Sequence, residues 1–331
     1  MLILASFVIV VAGMKVAESI IVPFLLSVFI SIIALPPFYW LQQKRIPRGI
    51  ALVIIILLFL AFIFLIGLLI GTSVNDFSSR LPTYELKLQN QTQELIDWLI
   101  EREFIEPDFQ ISNAFNPGVV FTLVGDVFNQ LSNLFANGFL ILLTVKFILI
   151  EEVSLPGKIK KMFVNPVDSL GRIHSVTRNI NKYITLKTIM NLCNALLVTI
   201  FLFLMGVDYF LLWGLLAFLL NYIPTIGSFL ALLPPTLLAL IQFGFIEAIV
   251  VAIGFIIINT LIGNIIEPRF MGKGLGLSPL VVFLSLIFWG WVLGPIGMLL
   301  SVPLTITIKI ALDSSDETRW LAILIGPEKI E

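Results

Sequence analysis

Two apolar runs are too long for one membrane crossing, and they constrain the fold more than any other feature. Residues 209–246 and 274–308 contain no charged side chain. A helix that crosses about 30 Å of hydrocarbon needs roughly 20 apolar residues, so each run exceeds one crossing and falls slightly short of two. Proline and glycine interrupt each run near its middle, in NYIPTIGS and in LGPIGM. We therefore expect two broken, hairpin-like helical segments.

The composition places most of the chain in lipid. Of its 331 residues, 59% are hydrophobic and only 12% are charged. Soluble domains are about half apolar and about a quarter charged, so a soluble fold would leave too much apolar surface in water. Helices satisfy their own backbone hydrogen bonds in lipid, and the period-two alternation of barrel strands is absent. The predicted fold class is an all-α polytopic membrane protein.

The same composition excludes several functions. A net charge of −1 gives no electrostatic footprint for nucleic acid. Cys193 and His174 are the only residues of their types, so no Cys/His cluster could hold zinc, and we expect neither a metal nor another cofactor. The sequence also lacks HExxH, a buried Asp pair and a convincing Ser/His arrangement. We expect no catalytic residues and no enzymatic activity.

The shorter uncharged runs predict about eight transmembrane helices, counting the two broken segments, and a small extracytoplasmic helical lobe. Lysine and glutamate end the first run, and each later run is about one span long. The expected divisions are residues 1–72 for helices 1–3, 73–130 for the acidic lobe, 131–151 for a further helix, 152–187 for a basic amphipathic linker helix, 188–312 for a C-terminal transmembrane core and 313–331 for a cytoplasmic tail.

The charges of the loops predict the orientation. The loop at residues 42–48 carries three basic residues and no acid. Residues 73–130 carry three basic residues against nine acids, whereas residues 151–187 carry seven against three. Because short cytoplasmic loops are enriched in Lys and Arg, the first and third of these segments are placed in the cytoplasm and the second outside. Both termini then lie in the cytoplasm.

The breaks in the two long runs are the candidate transport site. Backbone groups freed at a break must be buried in protein or line a watery cavity, and paired breaks of this kind point to a site near the midplane of a transporter. Asn221 and Thr225 place polar side chains beside the first break. The alternative is that both segments are merely kinked structural hairpins. The residues expected to shape the breaks and their linker are Pro224, Gly227, Pro234, Pro268, Gly294, Pro295, Gly297 and Pro303.

The span between the broken segments adds four polar candidates. Asn259 and Asn264 lie five residues apart, about 140° around an α-helix, so each contacts either solute or a neighbouring helix on its own face. Glu267 and Arg269 follow at the inner end, where an ion pair between them would form an inner gate or lock a loop. Pro268 disfavours helical geometry at Glu267.

Several of these segments together resemble the AI-2E transporter family, and within it the autoinducer-2 exporter branch. They are IIVPFLLSVFIS (residues 20–31), NYIPTIGS (221–228), LPP (233–235) and GNIIEPRFMGKGLGLSPLVVFLSLIFWGWVLGPIGMLLSVPL (263–304). The resemblance covers nearly the whole chain, and its C-terminal block is highly specific. The family layout of about eight spans, cytoplasmic termini and one sizeable outer loop agrees with the loop charges.

The resemblance implies export of a small polar signalling molecule across the bacterial inner membrane. Because no nucleotide-binding motif is present, this export would proceed without ATP hydrolysis. Other relatives are associated with sodium/proton antiport, which would need a titratable carboxylate in the pathway, and Glu18, Glu247 and Glu267 are the few candidates. The resemblance also implies a homo-oligomer, with a pentamer as one arrangement. The expected partners are the solute, the lipid bilayer and further copies of the chain.

Overall fold

A computed structural model describes residues 2–102, 138–152, 166–224, 226–271, 277–313 and 315–326. These ranges are helical with short turns between helices, and they contain no strand. In chain order the helices are α1 (Leu2–Val16), α2 (Glu18–Gln43), α3 (Arg48–Glu101), α4 (Gly138–Glu152), α5 (Pro166–Leu204), α6 (Phe210–Leu220), α7 (Ile226–Phe243), α8 (Phe245–Asn259), a π-helix (Thr260–Ile266), α9 (Glu267–Met271), α10 (Pro279–Asp313) and α11 (Arg319–Ile325).

Several of the described helices are long and apolar enough to cross a membrane. By length and composition there are six such candidates in the part of the chain that the structure describes. Their exposed surfaces are rich in Leu, Ile, Val and Phe, as expected where the surrounding solvent is lipid. The all-helical, multi-pass fold is therefore confirmed, whereas the count of about eight stays a prediction. The candidates are Glu18–Gln43, Arg48–Lys87, Asn181–Leu204, Ile226–Phe243, Phe245–Phe270 and Pro279–Asp313.

Two long helices, α3 and α5, each continue across a domain boundary that was predicted from the sequence. At 1.5 Å per residue, α3 is about 80 Å long, so it extends well beyond one bilayer crossing. Its polar second half forms the beginning of the expected acidic lobe, and residues 103–137, the remainder of that lobe and the chain that follows it, lie outside the described residues. Likewise α5 is continuous across residues 187 and 188. The boundaries themselves stay predictions.

The first broken run folds into a hairpin, here called the first hairpin (residues 210–243). Its arms are α6 and α7, and the helix is interrupted between Leu220 and Ile226 as expected. The backbone amide of Asp208, just before the first arm, donates to Oε1 of Gln242 at the end of the second, at 3.1 Å. The arms therefore run antiparallel. A Cβ atom on Gly227 would overlap the carbonyl oxygen of Leu220, so glycine is needed there for close approach of the two arms.

The second broken run also folds back on itself, and it is called the second hairpin (residues 279–313). The turn lies at Leu293 and Gly294, and Gly294 has φ 64° and ψ −155°. Nε1 of Trp289 donates to Oγ1 of Thr305 at 3.1 Å. These residues would be about 24 Å apart along a straight helix, so the bond requires the two arms to lie side by side. A Cβ atom on Gly297 would overlap the carbonyl oxygen of Trp289, close to the turn.

Not every predicted break is present. Helices continue through Pro234, Pro268 and Pro303. Glu267 has φ −53° and ψ −48°, which is helical, contrary to the effect expected of Pro268. Proline is tolerated inside such helices because neighbouring helices and local changes of helix type satisfy the freed carbonyl groups, and here a π-helix leads directly into Glu267. Of the predicted prolines, Pro224 and Pro295 are the two beside the real turns.

The two hairpins start from opposite ends of the apolar, span-length part of α5, Asn181–Leu204. Asp208 and Gln242, at the base of the first hairpin, lie just beyond the α5 terminus at Leu204. Tyr183, near the other end of this apolar part, packs against the cluster at the base of the second hairpin. The 21 residues from Tyr183 to Leu204 span about 32 Å, close to the thickness of a hydrocarbon core. Between these ends, the tip of the first hairpin and the returning arm of the second share one core cluster of Phe29, Ile184, Tyr222, Ile296 and Leu300.

Candidate functional site

Polar side chains on one face of α5 meet the tip of the first hairpin. Lys187, Asn191 and Asn194 follow each other at steps of four and three residues, which places them on one side of an α-helix. Asn191 and Asn194 are each 2% exposed. Asn194 lies ten residues, or about 15 Å, from the end of α5 at Leu204. This polar face therefore reaches the middle of the helical bundle.

Three asparagines and one serine form a hydrogen-bonded group, the amide cluster (Asn194, Asn221, Asn259 and Ser228). Nδ2 of Asn194 donates to Oδ1 of Asn259 at 2.8 Å. Nδ2 of Asn221 donates to Oδ1 of Asn194 at 2.9 Å, and to Oδ1 of Asn259 at 3.4 Å. Oγ of Ser228 donates to Oδ1 of Asn221 at 2.9 Å. The cluster joins α5, the π-helix junction and both arms of the first hairpin.

The composition of the amide cluster limits what it can bind. Amides offer both hydrogen-bond donors and acceptors, and the hydroxyl of Ser228 offers both as well. None of the four side chains carries a charge or titrates near neutral pH. Burying such groups is costly unless they are paired, so they pair with each other when no solute is present. The arrangement suits a small uncharged solute that carries hydroxyl or carbonyl groups.

The amide cluster lies beside the tip of the first hairpin, where α2 and the returning arm of the second hairpin also pack. Tyr222, next to Asn221 at the first tip, contacts Phe29 of α2 in an edge-to-face arrangement with ring centroids 5.3 Å apart. Its hydroxyl donates to Oγ1 of Thr188 at 2.7 Å. Ile296 and Leu300, just past the second tip, belong to the same core cluster. A change at either tip would therefore reach the amide cluster through direct packing.

Glu267 forms an ion pair, but its partner differs from the one expected. Nζ of Lys187 donates to both carboxylate oxygens of Glu267, at 2.8 and 2.9 Å. The two side chains are only 12% and 15% exposed. Arg269, the expected partner, is exposed and forms no ion pair among the described residues. The reason is helical: Glu267 and Arg269 are two residues apart on α9 and so point in different directions.

Of the four other predicted solute contacts, the structure places two together and one apart from them. Asn221 and Asn259 are bonded within the amide cluster. Asn264 is exposed and does not join the cluster, so the two asparagines of this span face different surroundings, as their spacing indicated. Thr225 lies outside the described residues.

The polar residues that α5 contributes to the site were not among those predicted from the sequence. Lys187 entered the sequence analysis only as a loop charge, and Asn191 and Asn194 did not enter it at all. The signal was nevertheless present, since K-x-x-x-N-x-x-N at residues 187–194 repeats polar groups at helical spacing inside an apolar segment. Polar side chains that recur on one face of a transmembrane helix indicate a buried partner or a pathway.

A second polar group, the hairpin-base cluster, lies at the opposite end of the apolar part of α5 (Asn181–Leu204) from Lys187. Arg80 of α3 bonds Asp76 at 2.9 Å and Asp208 at 3.4 Å. Tyr84 donates to Asp208 at 2.8 Å, and Tyr209 donates to Asp76 at 2.8 Å. Burial raises the pKa of Tyr209, so its phenol stays protonated and keeps donating. These bonds tie the first hairpin to α3.

No metal centre is formed by the part of the chain that the structure describes. Within it, no group of three or more His, Cys, Asp or Glu side chains is close enough to hold an ion. Cys193 is exposed on α5, next to Asn194 but pointing away from the amide cluster. The neutral amide cluster and the Lys187–Glu267 pair therefore remain the functional candidates.

Comparison with known proteins agrees with this architecture. A family model described as AI-2E family transporter matches residues 4–316. The AI-2 transport protein TqsA of Escherichia coli is 41% identical over 324 residues, covering 98% of this chain and 94% of that protein. A presumed transport protein of Haemophilus influenzae is 39% identical, with 98% and 94% covered. A third relative, the presumed transport protein YhhT of Escherichia coli, is 37% identical, with 98% and 93% covered.

Proposed function

The chain belongs to the AI-2E transporter family, and we propose that it exports a small polar signalling molecule of the autoinducer-2 type in quorum sensing. The export crosses the bacterial inner membrane and does not use ATP hydrolysis. Support for the solute comes from TqsA, which is named as an AI-2 transport protein and is similar to this chain over almost its whole length. Its relatives are named as transport proteins, and we propose no enzymatic role.

The observation that carries the proposal is the neutral amide cluster between two opposed hairpins. The cluster lies about halfway along the apolar part of α5, Asn181–Leu204, beside the tip of the first hairpin and near the returning arm of the second. In the proposed mechanism, solute hydroxyl groups replace the hydrogen bonds that the asparagines make with each other. The exchange leaves few buried polar groups unpaired, so the solute can enter and leave without a large barrier.

We further propose that the hairpins are re-entrant segments from opposite membrane faces. The first hairpin has its base at the end of α5 that carries the hairpin-base cluster, and the second has its base near Tyr183. The first arm of each hairpin is short: α6 has 11 residues, or about 16 Å, and residues 279–292 of α10 span about 21 Å. Each is shorter than a full crossing of about 30 Å.

The cation/proton antiporter is not taken further. Such an exchanger needs a titratable group at its binding site, and the amide cluster has none. Among the predicted candidates, Glu267 is paired with Lys187.

The assembly and orientation are also proposals. We place both termini in the cytoplasm, as the loop charges indicate. A homo-oligomer, with a pentamer as one arrangement, would cover the exposed glycines Gly67 and Gly71 of α3, where a Cβ atom would meet nothing within 4 Å. Small residues spaced four apart allow close packing of helices in membranes.

Efflux from proteoliposomes tests the proposed solute. Vesicles loaded with autoinducer-2 and containing the full chain should release it faster than protein-free vesicles. Asn221→Ala and Asn259→Ala should each slow this release about tenfold or more, because each removes a proposed solute contact. Asn264→Ala is the matched control and should release at the wild-type rate. Wild-type efflux equal to that of empty vesicles would contradict the proposed solute.

A further inference from the structure

The Lys187–Glu267 pair is the most deeply buried ion pair among the described residues. The other ion pairs among the described residues join side chains that are 31% to 63% exposed. The side chains of Lys187 and Glu267 are 12% and 15% exposed. Removing two charges from water costs as much as their attraction returns, so a buried pair is weak evidence for stability. Its position suggests another purpose.

The pair lies between the amide cluster and one end of the bundle. Lys187 is seven residues before Asn194 on the same face of α5, which places it about 10 Å along the helix from the cluster. Thr188, the next residue, bonds the hydroxyl of Tyr222 at the tip of the first hairpin. The pair therefore lies on the side of the amide cluster that the loop charges place towards the cytoplasm.

A π-helix connects the cluster to the pair. It spans Thr260–Ile266, directly between Asn259 and Glu267. In an uninterrupted α-helix these two residues would point about 80° apart. Here both contact the same face of α5, Asn259 through Asn194 and Glu267 through Lys187. The wider turns of the π-helix bring both side chains onto α5 at once.

The π-helix is anchored at one end by the hydrogen bonds of Asn259 and at the other by the ion pair of Glu267. π-helices are rare because α-helical bonding is generally better, and those that persist occur mostly at functional sites. If Asn259 lost its bonds to Asn194 and Asn221, one anchor of the π-helix would be gone. A return towards α-helical bonding would then rotate Glu267 about the helix axis and away from Lys187.

We propose that Lys187 and Glu267 form the inner gate of the solute pathway, and that the π-helix opens this gate when solute displaces Asn194 from Asn259. The proposal rests on the transport function proposed above, and it assigns a role to Lys187, which the sequence analysis did not consider. Binding of solute to the amide cluster and opening of the inner gate are then coupled through one conformational change.

Thiol labelling tests the gate without measuring transport. Cys193 is replaced by Ser, and Asn191, one helical turn beyond Lys187, is replaced by Cys as the probe. A small sulfonated thiosulfonate is applied to the inner face in everted membrane vesicles. Glu267→Gln and Lys187→Met should each raise the labelling rate about tenfold, within the range typical of coupled sites. The double variant Lys187→Glu with Glu267→Lys should restore slow labelling.

Arg269→Gln is the matched control, because Arg269 is a nearby exposed cation that does not contact Glu267. It should label at the background rate. Unchanged labelling in both single variants, or an equal rise in Arg269→Gln, would overturn the gate. The charge-swapped variant guards against misfolding, since rapid labelling caused by a loosened fold would not be reversed by restoring the pair.

A second pair of variants tests the coupling. Asn259→Ala removes the outer anchor and should also raise labelling at position 191, whereas Asn264→Ala in the same π-helix should not. Equal rates in these two variants would overturn the role of the π-helix. Because labelling needs no particular solute, a gate that behaves as expected while autoinducer-2 efflux fails would reject the proposed solute and keep the gate.

Discussion

At the scale of single residues, the amide cluster shows how a polar group is kept in an apolar bundle. Asn194 is 2% exposed and Asn221 is 7% exposed, yet each has a partner for its amide group. A buried polar network that is fully paired favours one arrangement of its helices, and a network with a missing member is costly. The cluster therefore both positions the first hairpin and provides groups that a solute can engage.

Removing one asparagine should destabilise the protein and not only slow transport. Asn194→Ala removes the nearer acceptor of the Asn221 amide and leaves it only the 3.4 Å contact with Asn259, so we expect the loss of stability to be about 1–3 kcal/mol. The double variant with Asn221→Ala should lose less than the sum of the two single losses, because the partners share one bond. Thermal unfolding in detergent measures this. Strict additivity would contradict the direct bond.

At the scale of the element, the second hairpin depends on one backbone conformation. Gly294 has φ 64° and ψ −155°, a region that is essentially restricted to glycine. Pro295 follows and suits the first turn of the returning arm, since proline is favoured at the start of a helix. The turn also brings Gly294 close to Glu18 at the start of α2, where a Cβ atom on Gly294 would lie 3.0 Å from a carboxylate oxygen.

Gly294→Ala should destabilise the second hairpin by about 1–3 kcal/mol, because alanine is strained in that conformation. Gly290→Ala on the first arm is the control. Its added methyl group would lie 2.6 Å from Cγ of Met298, which must shift, but the backbone of Gly290 is helical, so this loss carries no backbone strain and should be smaller. The two unfolding midpoints in detergent should rank in that order. A larger loss in Gly290→Ala would show that packing, and not backbone strain, dominates the turn.

At the scale of the whole molecule, charges and contacts support one arrangement across the membrane. The basic loop around Lys44 ends α2, and the hairpin-base cluster of Asp76, Arg80 and Asp208 lies beyond the apolar half of α3. The loop charges place the first in the cytoplasm and the second outside. The same arrangement lets the first hairpin enter from outside and the second from the cytoplasm.

Single cysteines on a Cys193→Ser background test this arrangement. Lys44→Cys and Ser78→Cys replace exposed residues, one in the loop between α2 and α3 and the other beyond the apolar half of α3. An impermeant maleimide added to intact cells with a permeable outer membrane should label position 78, and everted vesicles should label position 44. Labelling of both positions from the same side would overturn the topology and the direction assigned to each hairpin.

Much of the organisation could be predicted from the pattern of charges and breaks. The helical class follows because backbone groups in lipid must form their hydrogen bonds within the chain. The hairpin turns follow from the Pro and Gly residues beside Asn221 and at Gly294. Pro234 and Pro303 were misjudged because a helix packed among others tolerates a proline that would break an isolated one. Local sequence does not report that packing.

The sequence by itself determined that the chain is a helical membrane protein with two folded-back segments, because these properties depend on local composition and on bonds between near neighbours. Only the tertiary structure decided which polar groups meet. Asn194 bonds Asn259 across 65 positions, and Lys187 bonds Glu267 across 80. Such pairs depend on how helices pack and on the rotation about the helix axis that the π-helix gives to the residues after it. Neither can be read from the spacing of residues within one segment.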